Sequence, residues 1–131
     1  MSSPAEGGPA PADSPLDEGI LEELADFTSP GLLDQSIEVF FASADKGLGL
    51  LRAAQARGDT HALERSAHSL RGSCAIIGAR RMMLLAAEIE EIARTRSHAG
   101  VAPLVARLDH EYARTREALR LAQRRPRETE R

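Results

Sequence analysis

Five residues, Leu63, Ala67, Leu70, Cys74 and Ile77, recur at intervals of four, three, four and three. Only a helix puts such a set on one line, and the narrow seam it forms is what a helical bundle packs into its core. The same helix has a second face. His68 lies about 140° round the axis from Leu63, and the next positions on its side are Gly72 and Ala75, which have almost no side chain. A glycine inside a helix costs about 0.5–1 kcal/mol relative to alanine. Gly72 is therefore expected to provide clearance beside the imidazole. Arg71, three residues after the histidine, can reach back over the same surface. Taken alone, a histidine beside a glycine also fits an ordinary surface position and a packing notch.

The rest of the composition agrees with helices. Three Phe, one Tyr and no Trp in 131 residues leave a core of Leu, Ile, Val, Met and Ala. Packed helices accept that set more readily than a β-sandwich, which favours β-branched and aromatic strands. One cysteine excludes an intrachain disulfide, and its surroundings carry no metal-ligand spacing. The N-terminus lacks the pattern of an export signal, and no apolar run approaches 18 residues. A soluble, cytoplasmic protein without membrane insertion is expected. Charge is unevenly spread. Residues 1–45 hold ten acids and no Lys or Arg, and the remainder holds ten acids and seventeen bases. The bases are scattered over helices, without the aromatic residues that single-strand binding uses, so no nucleic-acid partner is expected.

Taken in order, residues 1–15 are rich in Pro, Ala, Gly and Ser and read as a disordered leader. A short acidic helix is expected from Leu16 or Asp17 to Phe27, broken by Thr28-Ser29-Pro30-Gly31. The next runs from Gly31 to Ala44, and Asp45 is read as the N-cap of a separate short helix to Arg57, with Gly47 and Gly49 weakening its first turn. Arg57-Gly58-Asp59 is a helix-to-helix turn, with Gly58 as C-cap and Asp59 capping the central helix from Thr60 to Gly78. Gly78-Ala79-Arg80 marks a turn, and the following helix runs to about Arg96, with Met82, Leu85, Ile89 and Ile92 at a/d spacing. After the linker Ser97-His98-Ala99-Gly100, the last helix spans 101–124, with Pro103 in its first turn. Residues 125–131 form a flexible basic tail. The expected architecture is all-α: residues 16–124 as an antiparallel up-down four-helix bundle with an additional short N-terminal helix.

The His61, Glu64 and His68 row on the central helix resembles a set of metal ligands, but zinc and di-iron sites need further ligands from other helices. No metal site is expected. Glu64, one turn before His68, is either an orienting partner for the imidazole or a plain surface carboxylate.

The string His68-Ser69-Leu70-Arg71-Gly72-Ser73-Cys74, followed by Gly78-Ala79, resembles the signature of histidine phosphotransfer (HPt) domains. That signature is approximately H-x-L-K/R-G-S-S/A, with Gly-Ala ten and eleven residues after the histidine. Phe40-Phe41 and Leu51-Arg52-Ala53-Ala54 with Gly58-Asp59 resemble its lead-in, and the resemblance covers roughly residues 31–95. Cys74 stands where a small hydroxyl residue is common, and Arg71 where lysine is more usual.

The resemblance implies a four-helix bundle and a phosphocarrier. His68 would accept a phosphoryl group from the aspartate of a response-regulator receiver domain, or within a hybrid histidine kinase pathway, and pass it to another receiver. An accessible imidazole of ordinary pKa, near 6.5, is largely neutral at cellular pH and is a competent nitrogen nucleophile. Arg71 would stabilise the phosphoryl oxygens, Gly72 and Ala75 would admit the partner, and Glu64 would assist docking or orientation. Leu70 and Gly78 would be structural. The chain has no nucleotide-binding loop, so it would not phosphorylate itself from ATP. It would carry no cofactor of its own, with Mg²⁺ on the receiver, and would act as a monomer. The competing expectation is a non-catalytic helical adaptor in which His68 is incidental.

Overall fold

The computed structural model describes residues 14–124 and contains five helices. These are α1 (Glu18–Phe27), α2 (Pro30–Arg57), α3 (Thr60–Ile77), α4 (Arg80–Arg94) and α5 (Val101–Arg124). No strand occurs among the described residues. The helices α2 to α5 form the bundle: each packs on the next, and α5 closes the ring against α2. The short α1 lies against α2 and α3. The leader and tail expected at the two ends fall, for residues 1–13 and 125–131, outside the described residues. No helix of the described chain is long and apolar enough to cross a membrane.

Each boundary has a local cause. The Asp17 carboxylate accepts from the backbone N–H groups of Gly19 and Ile20 and starts α1. Ser29 caps α2 through Leu32 N–H, and Pro30 follows at the first helical position, where its missing N–H costs nothing. Gly58, at φ 67°, ends α2, and Asp59 accepts from Ala62 N–H at 3.0 Å to begin α3. The N–H bond from Ala62 and the Arg57 guanidinium hold the Asp59 carboxyl below its ordinary range. Gly78, at φ 81°, ends α3 and donates to Cys74 O at 2.9 Å.

Two expectations about helix bounds are corrected. The break at Asp45 does not exist: α2 is a single helix of 28 residues. The inward positions Leu33, Ile37, Phe40, Phe41, Ala44, Leu48, Leu51 and Ala54 run through Gly47 and Gly49 without losing phase. Tertiary packing of a continuous apolar face outweighs the weak propensity of two glycines. Asp45 caps nothing. Its Oδ1 accepts from the Tyr112 hydroxyl of α5 at 2.7 Å. Burial, with that bond, pushes the Tyr112 phenol up to about 12. At the C-terminus of α4 the helix stops at Arg94, two residues before the expected Arg96, which adopts φ 64°.

The core is aliphatic. Ile37, Leu48, Leu51, Leu63, Leu70, Ile77, Met82, Ile89, Leu108 and Leu119 are fully buried. The α3 seam read from the sequence is inside in full: Leu63, Ala67, Leu70, Cys74 and Ile77 are each at most 1 % exposed. Burial pushes the Cys74 thiol up to about 12, so it packs as a small apolar side chain.

Gly78 has two structural duties. Its left-handed backbone turns the chain from α3 to α4, and its carbonyl accepts from Asp17 N–H at 2.7 Å, tying α1 to the bundle. A Cβ here would meet Asp17 O and the Ile20 side chain at 3.2 Å. Gly78→Ala is expected to cost at least about 1–2 kcal/mol from backbone conformation alone. Urea unfolding should show the loss, and faster amide exchange at Asp17 should show α1 loosened.

Candidate functional site

The outward face of α3 carries His68, whose side chain is 66 % exposed. The ring sits where α3 faces α4. A groove of about 410 Å³ begins at His68, Arg71, Gly72 and Ala75 on α3 and is completed by Met83, Leu84 and Ala87 on α4. A Cβ added at Gly72 would meet nothing within 4 Å. The glycine therefore borders open space, as the clearance reading of the sequence requires, and no internal packing depends on its small size.

The imidazole is held by a residue that sequence reasoning missed. Glu90 of α4 places Oε2 at 2.8 Å from His68 Nδ1. Its carboxylate is only 6 % exposed, and a buried charge is stable only with matching partners. Three surround it. Arg71 Nε forms an ion pair with Oε1 at 3.0 Å, Arg94 Nη2 lies 3.6 Å from Oε2, and His68 supplies the third contact. Glu90 is nearly enclosed by α3 and α4, whereas Arg71 and Arg94 reach it from the solvent side, 40 % and 52 % exposed.

This arrangement selects a tautomer. Arg71 Nη2 also lies 3.2 Å from His68 Nδ1, but one ring nitrogen cannot donate to Glu90 and accept from Arg71 at once. The contact to the carboxylate is shorter, and an ionised carboxylate only accepts. Nδ1 therefore carries the hydrogen and donates it to Glu90. The Arg71 guanidinium is held by its ion pair with Glu90, and its Nη2 lies beside Nδ1 at 3.2 Å without donating to it in this tautomer. Nε2 keeps its lone pair and has no partner among the described residues.

Of the residues singled out from sequence, His68, Arg71, Gly72 and Ala75 share the groove. Leu70 is 1 % exposed and points into the core. Glu64 is not joined to His68 by any hydrogen bond among the described residues. It lies in a neighbouring hollow with His61, Arg65, His68 and Glu90, where Arg96 Nη1 donates to its Oε1 at 3.1 Å and Arg94 Nε lies 3.9 Å from Oε2. The orienting role open to Glu64 is filled by Glu90. A sequence signal for Glu90 existed: an acid beside Ile89 and one turn after Ala86, on the buried side of α4. Its partner, 22 residues away on another helix, did not follow from spacing.

The sequence model of the Hpt domain family matches residues 35–118. Among solved structures, the chain is similar to histidine-containing phosphotransfer protein B (HptB) from Pseudomonas aeruginosa PAO1, with 26 % identity and a TM-score of 0.82, over 88 % of this chain and 100 % of that one. It is also similar in fold to the histidine-containing phosphotransfer protein ZmHP2 from maize, with 20 % identity and a TM-score of 0.75, over 85 % and 90 % of the two chains. No curated protein sequence matches the chain.

The Glu90 contact makes a spectroscopic prediction. Nitrogen-15 NMR of the native protein should show a protonated Nδ1 on neutral His68. In Glu90→Ala the ring should shift toward the Nε2–H tautomer that free histidine prefers. An unchanged tautomer ratio would remove Glu90 as the orienting group.

Proposed function

The chain belongs to the Hpt domain family of histidine phosphotransfer proteins, and from the geometry around His68 we propose that Nε2 of this residue is the phosphoryl acceptor. The observation that carries the reading is the bond from Nδ1 to the buried Glu90 carboxylate. It leaves the second ring nitrogen unprotonated, on an exposed side chain bordering the α3–α4 groove.

In this reading a receiver domain phosphorylated on aspartate docks over α3. Nε2 attacks phosphorus in line, the N–P bond forms, and the P–O bond to the aspartyl carboxylate breaks. As the bond forms, the ring takes on positive charge. Glu90, already at Nδ1, balances that charge without moving, which is the economy of a preorganised site. Arg71, held by Glu90 beside the ring, faces the incoming phosphoryl oxygens with a guanidinium suited to them. Reversal of the same steps passes the group to a second receiver.

The remaining parts belong to the partner. Receiver carboxylates hold Mg²⁺, and the chain contributes a nucleophile and a cation, with neither a cofactor nor autokinase activity of its own. It acts as a cytoplasmic monomer between receivers or between a hybrid histidine kinase and a receiver. Gly72 and Ala75 let the receiver backbone come close to the ring, while Leu70 and Gly78 maintain the helix that presents it. Glu64 serves the site at one remove, by holding Arg94 and Arg96 near its edge.

Incubation with a phosphorylated receiver should place an acid-labile, base-stable label on the native protein and none on His68→Gln of the same fold. If a broad panel of receivers gives no label on the native protein, the helical adaptor is the better reading. Gly72→Gln tests the clearance. It should fold normally, since its side chain enters open space, yet slow transfer by about a hundredfold, the scale of misplacing reacting groups by an ångström. Transfer at the native rate would show that Gly72 is not an approach point.

A further inference from the structure

The ridge made by α3 has two flanks. On the α4 side lies the His68 groove. On the α2 side lies a separate hollow of about 290 Å³, lined by Ser43, Lys46 and Leu50 of α2 and by Ser66, Ser69 and Ser73 of α3. Ser69 is the residue after His68, and Ser73 the residue after Gly72. The two flanks are thus parts of one surface, separated only by the width of a helix, about 10 Å.

The chemistry of this hollow is distinct. Lys46 is the only lysine of the chain, and it is exposed and forms no ion pair among the described residues. Most of the arginines that surround the bundle are paired to carboxylates; this ammonium is not. Ser66 is 9 % exposed yet lines the cavity, and no hydrogen bond of its hydroxyl occurs among the described residues. The hydroxyl is not sealed off in the core; it borders the hollow and is available to a ligand there. Around this polar centre are exposed apolar side chains. Val39 is 61 % exposed, Leu50 52 % and Ile76 71 %. Val39, Ser43, Lys46 and Leu50 follow one another at helical spacing along α2, as do Ser69, Ser73 and Ile76 along α3.

We propose that this α2–α3 hollow is a second docking subsite that binds a carboxylate side chain of the receiver domain, with Lys46 as the counter-charge and Ser66 and Ser69 as hydroxyl donors. The inference rests on the receiver-docking reading above. A specific protein interface buries about 800 Å² on each partner, more than the exposed strip of one helix supplies. A receiver centred on His68 must therefore cover both flanks of α3. The α4 flank offers it an apolar groove, and the α2 flank offers a free cation, hydroxyls and an apolar rim. A receiver that presents an acid at the matching distance from its phosphorylated aspartate gains a charge-assisted bond. One that presents an arginine or lysine there is repelled. The subsite thereby discriminates among receivers without touching the phosphoryl group.

The test uses Lys46→Glu and Lys46→Arg in the full chain. Transfer from the fastest receiver of a panel is measured against direct labelling of His68 by phosphoramidate, a small donor that needs no docking surface. Lys46→Glu should lower kcat/KM from the receiver roughly tenfold relative to phosphoramidate labelling, through KM, and should weaken its dependence on salt. Lys46→Arg should restore most of the loss. Alanine substitution of the receiver's surface acids should find one that slows transfer to the native protein and has no further effect on Lys46→Glu. An unchanged kcat/KM in Lys46→Glu overturns the subsite. So does an equal loss with both donors, which would place the effect at His68 or in the fold. Saturable shifts of the Ser66 and Ser69 amides with inorganic phosphate alone, without competition by the receiver, would reassign the hollow to a free anion. No transfer from any receiver to the native protein, with phosphoramidate labelling intact, would instead remove the receiver reading on which the subsite depends.

Discussion

A carboxylate taken out of water has to be matched by charge where it lies, and Glu90 is such a carboxylate. Its position between α3 and α4 draws in His68, Arg71 and Arg94, and that one requirement organises the exposed face of the molecule. The imidazole is set in a single tautomer. The nearer guanidinium is parked beside the ring but is free on its outer side. The bundle supplies the rigidity behind this arrangement, because α3 and α4 are joined by a tight glycine turn and share an aliphatic interface that cannot shift without opening voids.

The division of labour along α3 follows from the helical repeat. The seam that includes Leu70 and Cys74 has to be inside for the bundle to exist. His68, Ser69, Gly72 and Ser73 are therefore outside, in two rows on either side of the ridge. The positions proposed for chemistry and partner selection are ones that the core does not need. Gly72 shows the separation most directly: its missing side chain borders only solvent, so its helix-weakening effect brings no packing benefit that the isolated chain could use. Gly47 differs. A Cβ there would lie 3.5 Å from the Leu70 side chain, in ordinary van der Waals contact, so Gly47 faces α3 whereas Gly72 faces solvent.

Where local spacing gave the wrong element, as at Asp45, or left a role open, as at Glu64, the deciding contact was distant. Asp45 has the residue type and the following glycines of a helix start, and local rules favour a break there. Its carboxylate is instead taken by Tyr112, 67 residues away, and the apolar face of α2 continues past it. Glu64 has the correct spacing to meet His68 along one helix, yet Arg96 of the α4 terminus engages it, and Glu90 from across the interface takes the imidazole. Both cases have the same origin. A carboxylate near several donors goes where burial and charge are best matched, and those donors come from other helices.

Periodicity, caps and turn residues were enough to determine an all-helical bundle, the α3 seam, the turns at Gly58 and Gly78, and the histidine on the outer face, because each depends on neighbours within about one helical turn. The short signature around His68 carried the family by itself. The orienting carboxylate, the tautomer, the groove completed by Met83, Leu84 and Ala87, and the free lysine opposite a row of serines were decided only when helices packed. Each joins groups from two helices, and a spacing along one helix does not state which face of a second helix it will meet.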